Sequence, residues 1–269
     1  MRSLAYAFIL LAVGFSQAVR ADVAVLVHGY LGNAGSWEFS GVNYALANNG
    51  WLPAGVIVPG ETGPLLPPPL TNKAPRTAYS VELPSTAPLM LQADMLVAAL
   101  RAVQSRHAKE SITLIGHSAG GVVARMALVR GGTNGVTRLI TIASPHLGTE
   151  RALQALDATQ ENGPVGFVKD MFGGRDYRVV RDSWPVLVDL TPAVPGSALY
   201  WLNAQMHPNI KYISIVRAAP FGIGDLLVPG PSQDLRNVPS IAGKAVTYVV
   251  PAGHALVAAD GAMVAQLMR

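Results

Sequence analysis

Residues 114–127 read "LIGHSAGGVVARMA": an aliphatic run, then Ser118 set among glycines, then a run of small and aliphatic side chains. A serine between glycines is by itself as compatible with an inert tight turn as with a reactive nucleophile. What decides is the flanking sequence. "SITLIG" (111–116) has the length and β-branched content of a buried strand. "GGVVARMALVR" has the composition of a helix, and it ends at Gly131-Gly132. Strand, sharp turn and helix in immediate succession are the context in which a turn serine is held exposed. The N–H groups opening the helix then stabilise negative charge close to its Oγ.

Working outward, further apolar runs suggest strands at 23–27, 54–58, 136–144, 211–218 and 245–250, and no internal repeat interrupts them. Helical patterns occupy 36–48 and 88–107 and a last segment starting near His254. In 88–107 the reading puts Leu91, Met95, Ala98, Ala99 and Ala102 on one face. "PGETGPLLPPPLTNKAPR" (59–76) is too rich in proline for a regular helix or central strand, so 60–86 reads as a long surface loop. Strands alternating with helices, several of them apolar throughout, predict a mostly parallel sheet covered by helices on both faces. The irregular, Gly- and Pro-containing 145–209 stretch breaks that rhythm and reads as an insertion over the sheet edge.

A serine hydroxyl becomes a useful nucleophile only when a base takes its proton and an acid orients that base. In a doubly wound sheet of this kind the chain order is serine, acid, histidine. His146, His207 and His254 follow Ser118. No Asp or Glu occurs in 119–145, which removes His146, and His207 precedes a strand and so belongs at the wrong end of the sheet. His254, in "PAGHALV" just past the final strand, is the remaining base. For the acid, Asp225 in "FGIGDLLVP" follows the 211–218 strand, with Asp234 further along the same loop as the alternative. Two N–H donors are then needed for an oxyanion. The reading assigns them to Ala119, directly after the serine, and Tyr30 in "VHGYLG", after the first strand, with His28 as scaffold.

The 269-residue chain is half hydrophobic and only 13% charged, with a net charge of +4 that falls by two if Arg2 and Arg20 leave with a leader. No basic run is present, so nucleic acid is not an expected partner. Arg2 followed by "LAYAFILLAVGF" and "VRA" at 19–21 reads as a signal peptide over residues 1–21. The expected chain at 22–269 is a secreted or periplasmic domain without a transmembrane span. No cysteine is present, which removes disulfides and thiol chemistry. There is no nucleotide-binding glycine motif and no paired-histidine metal spacing, so no cofactor is expected; a structural calcium site stays open.

Together "VHGYLGNAGSW", "LIGHSAGGVVAR", "TIASPHLGT", "GDLLVP" and "AGHALV" resemble the α/β-hydrolase superfamily, most closely the bacterial triacylglycerol lipases and esterases. The resemblance implies the α/β-hydrolase fold, with the segment at about 150–205 as a cap or lid. It also implies hydrolysis of a small-molecule or lipid carboxylic ester through an acyl-serine, with contact to a lipid interface. An acyltransferase, thioesterase or amidase would use the same three side chains, and a non-catalytic binding module would keep only the fold.

Overall fold

The computed structural model describes residues 22–70, 76–158, 181–219 and 222–269. The signal-peptide reading of 1–21 lies outside them, as does the 159–180 part of the expected cap. The framework strands are β1 (Asp22–Val27), β2 (Leu52–Ile57), β3 (Arg76–Val81), β4 (Ser111–His117), β5 (Val136–Ile142), β6 (Lys211–Ala219) and β8 (Ala245–Val250). They pair in parallel in the order β2-β3-β1-β4-β5-β6-β8, and the short β7 (Gly222–Ile223) turns back antiparallel onto β6. This is the α/β-hydrolase fold.

The two faces of the sheet follow from alternation along β1. Val23, Val25 and Val27 point into one apolar cluster, Ala24 and Leu26 into the other. On the first face lie α3 (Leu89–Arg106) and α4 (Ala119–Gly131), packed on each other. On the second face α2 (Val42–Asn48) packs against α9 (Ala258–Leu267), with Trp37 of the short α1 (Ser36–Phe39) fully buried beneath. Burial on both faces is why the strand sequences are apolar throughout rather than alternating.

Four expectations change at this level. The loop assigned to 60–86 contains a strand: β3 lies between β2 and β1. Its sequence "RTAYSV" carries buried Thr77 and Ser80 in place of an aliphatic run, so it lacks the usual mark of an interior strand. In α3 the buried row is Leu89, Ala93, Leu96, Leu100 and Val103, while Leu91 is exposed. An Ala- and Leu-rich helix satisfies the three-and-four spacing on adjoining faces, and the row with the bulkier leucines wins the core. Truncating Leu96 to alanine there costs about 3 kcal/mol. Finally, the 36–48 helix is two helices divided at Gly41 (φ 77°), and the last helix begins at Ala258, leaving His254 on a loop.

The connection from β5 to β6 carries α5 (Glu150–Ala158), α6 (Trp184–Asp189) and α7 (Ala198–Ala204). Ala155, Ala158 and Leu187 form a small apolar cluster joining α5 to α6 beside Tyr30. Among the described residues no helix is long and apolar enough to cross a membrane.

Candidate active site

Ser118 closes β4 and opens α4 with φ 52° and ψ −130°, a backbone conformation that non-glycine residues rarely adopt. The turn is held because Ser118 N–H donates to the Ile142 carbonyl (2.8 Å) and Gly121 N–H to the Ser118 carbonyl (3.0 Å). It is also held by exclusion. A Cβ at Gly116 would lie 2.5 Å from the Gly121 nitrogen, and one at Gly120 would overlap the Val27 and His28 carbonyl oxygens. Strand, helix and the β1 loop therefore approach one another closely enough that only glycine fits at either position. A Cβ at Gly29 would sit 2.8 Å from that of Ser118, so the β1 loop passes directly against the serine.

The chain brings two more groups to Ser118 from the same edge of the sheet. After β6, β7 doubles back and Gly224 (φ 117°) turns the chain into Asp225. After β8, the loop 251–257 carries His254. His254 Nδ1 donates to Asp225 Oδ2 (2.8 Å), and Ser118 Oγ lies 2.9 Å from His254 Nε2. Because an ionised carboxylate only accepts, the ring proton sits on Nδ1, and the Nε2 lone pair faces the serine hydroxyl. Burial pushes the Asp225 carboxyl up. The bond from His254 and the amides of Val228 (2.8 Å) and Leu227 (2.7 Å) outweigh this and hold it below its ordinary range. With its side chain 1% exposed, Asp225 orients the ring while scarcely touching water.

Of the alternatives, Asp234 is committed elsewhere: it binds Arg236 (2.7 Å) and accepts from Thr247 Oγ1 (2.6 Å). His146 is fully buried with Nε2 3.1 Å from Thr141 Oγ1, and His207 binds the Gln205 carbonyl and Ser240. His28 accepts from Leu83 N–H through Nε2 (3.1 Å), and burial lowers its pKa, so it braces the β1 loop as a neutral ring.

Tyr30 and Ala119 occupy the two backbone segments beside the serine. Ala119 is the first residue of α4, where N–H groups have no acceptor within the helix, and Tyr30 lines both openings onto Ser118. One opening is a recess of about 60 Å³ walled by Ala152, Leu187, Leu190 and Val228. The other is a cleft of about 540 Å³ bordered by Gly32, Phe39, His117 and Leu256. Among the described residues no group of three or more His, Cys, Asp or Glu side chains could hold a metal ion.

Sequence reasoning missed the supports around His254. His117 donates from Nε2 to the His254 carbonyl (2.9 Å), and burial, with the neighbouring His254 ring, lowers its pKa to about 3. Arg217, fully buried on β6, forms a two-bond pair with Asp260 (2.7 and 2.8 Å), while Asp260 Oδ2 accepts from Val257 N–H (2.9 Å). A signal for this pair was present: a lone arginine in the apolar strand "KYISIVRA" demands a buried partner.

A family model described as a PGAP1-like alpha/beta domain matches residues 85–161, which span α3, β4, Ser118, α4 and β5. Among solved structures, the chain is similar to the mature form of a lipase from Bacillus licheniformis. That match has a TM-score of 0.64 and 18% identity over 93% of this chain and 91% of that one. A protein from Listeria innocua aligns with a TM-score of 0.57 at 17% identity, covering 88% of this chain and 87% of the other. A lipase-esterase related protein from Clostridium acetobutylicum aligns at 0.53 and 11% identity, with 93% of each chain covered. No curated protein sequence matches the chain. At these identities the likeness is one of fold.

Proposed function

We propose that this protein is a serine hydrolase of carboxylic esters, acting through an acyl-serine. The observation that carries the reading is the unbroken relay from Asp225 Oδ2 through His254 to Ser118 Oγ, with distances of 2.8 and 2.9 Å. In this reading His254 Nε2 takes the Ser118 proton as Oγ attacks the ester carbonyl. The N–H groups of Tyr30 and Ala119 receive the oxyanion, and His254 returns the proton to the departing alkoxide. Water, deprotonated by His254, then attacks the acyl carbonyl and restores Ser118. Asp225 stays ionised throughout and stabilises the imidazolium. Apolar walls on both sides of Ser118 support an apolar ester. Phe39, which borders the cleft and is 89% exposed, supports contact with a lipid surface. The segment 150–205 is proposed as the cap over this opening, and residues 1–21 as a leader for secretion or the periplasm. The similarity in fold to a bacterial lipase is consistent with the ester reading.

The test is hydrolysis of p-nitrophenyl esters and covalent labelling of Ser118 by a fluorophosphonate. Wild-type protein is expected to do both. Ser118→Ala is expected to lose labelling and about 10⁴-fold or more in kcat while keeping its circular dichroism spectrum. Turnover comparable to wild type in that variant overturns the assignment. Faster turnover of thioesters or amides, or transfer to added alcohols, would move it to another acyl chemistry with the same side chains.

A further inference from the structure

Asp225 Oδ2 is shared between two donors. One is His254 Nδ1; the other is the side-chain amide of Gln233 (3.1 Å), on the four-residue α8 (Gly230–Gln233). Gln233 is 1% exposed and its orientation is forced. Its Oε1 accepts from the Arg217 backbone N–H (2.8 Å), so Nε2 faces the carboxylate, and its second hydrogen goes to the Val228 carbonyl (2.8 Å). One side chain thus ties together the strand that carries Arg217, the loop that carries Asp225 and the carboxylate itself.

We propose that Gln233 is a positioning residue for the hydrolytic reaction, its amide holding the Asp225 carboxylate in the plane where Oδ2 meets His254 Nδ1. The proposal rests on the serine-hydrolase reading. Its physical content is twofold. Oδ1 is pinned by the Leu227 and Val228 amides, which leaves the carboxylate free to pivot unless Oδ2 is pinned as well, and Gln233 supplies that bond. The same bond withdraws negative charge from the oxygen that faces the imidazole. Arg217 completes the arrangement from behind, its side chain reaching Asp260 and the Ala255 carbonyl (3.4 Å) next to His254. The charged and titratable groups around the His254 ring are Asp225 ahead, His117 at its side, and Arg217 and Asp260 behind.

Gln233→Met keeps the length and removes both donors. With Oδ2 relieved of its second donor, the carboxylate stabilises the imidazolium more strongly. The acid limb of kcat/KM is therefore expected to move to higher pH by about half a unit. Loss of the pivot constraint is expected to lower kcat roughly tenfold, with KM little changed. The midpoint is read independently by proton NMR titration of the His254 Nδ1 proton, which needs no turnover. If Met at this buried position prevents folding, Gln233→Asn replaces it: polar, but one methylene too short to reach Asp225. A rate loss with the His254 midpoint unmoved would show a packing role and overturn the proposal. An absence of ester hydrolysis in wild type, with the midpoint moving in the variant, would instead overturn the function and leave the Gln233–Asp225–His254 coupling standing.

Discussion

His254 and His146 each follow a strand of the same sheet, β8 and β5, yet they ended up in opposite environments. His254 is partly open to solvent, faces a carboxylate on one nitrogen and a hydroxyl on the other, and borders a cleft. His146 is sealed, with Nδ1 lacking a hydrogen-bond partner among the described residues. Near it lie His207 and the fully buried Arg125, whose Nη2 donates to Asn203 while Nε and Nη1 find no acceptor among the described residues. Burial, and the charge of Arg125, keep His146 neutral well below its ordinary pKa, and His207 is lowered to about 4. A histidine near the right end of the sheet is therefore not enough. Acid–base work needs an oriented proton on one nitrogen and an accessible partner on the other, and only one of the two clusters has both.

The largest effect that would break this contrast is at Asp225. Asp225→Asn is expected to lower kcat by about 10⁴-fold, because an amide can present N–H where an acceptor is required and so favour the wrong tautomer. Asp234→Asn is expected to stay within about threefold of wild type in kcat/KM while losing a little stability with its Thr247 and Arg236 bonds. Assays of both on one ester decide which acid serves His254.

Next is the turn itself. Gly120→Ala is expected to destabilise by about 3 kcal/mol or more, since its Cβ meets backbone carbonyls that have no room to move. Urea denaturation of this variant measures it.

Acid titration probes the buried rings collectively. His28, His117, His146 and His207 all have folded pKa values below 6.5. The unfolded chain therefore binds more protons, and stability falls as pH drops below about 6.5 and continues to fall towards 4, by up to about 1.4 kcal/mol per pH unit for each ring. Asp225 adds a further loss lower down, as pH falls through its depressed folded value. Urea midpoints at pH 7, 6 and 5 are expected to decrease in that order, and a flat series contradicts the buried neutral rings.

The smallest expected effect is at the second cluster. Arg125→Met is expected to change stability by no more than about 1 kcal/mol, or to raise it, because the charge it removes has no carboxylate partner among the described residues. Activity is expected to remain within about threefold.

Much of this was legible in the sequence, for reasons that can be named. Interior strands such as "VAVLV" and "SITLIG" declare themselves because burial on both faces demands unbroken apolar runs. β3 did not, because its interior carries Thr77 and Ser80, and β7 is too short to leave a pattern. Ser118, Asp225 and His254 could be named from chain order, since each comes from a connection at the same end of the sheet. Gln233 could not be. Its role depends on which oxygen of Asp225 turns towards it, a matter of three-dimensional orientation with no trace in spacing or composition. The Tyr30 and Ala119 assignments followed from their positions after β1 and after the serine.

The long connection from β5 to β6 supplies walls near Ser118 but none of the three side chains of the relay. The recess thus takes part of its wall from a stretch that holds none of the relay, while the cleft is bordered by the loops that carry the relay itself. Exchanging that one stretch would reshape the recess wall while leaving Ser118, Asp225 and His254 in place, so the shape of the recess is open to selection or engineering separately from the relay.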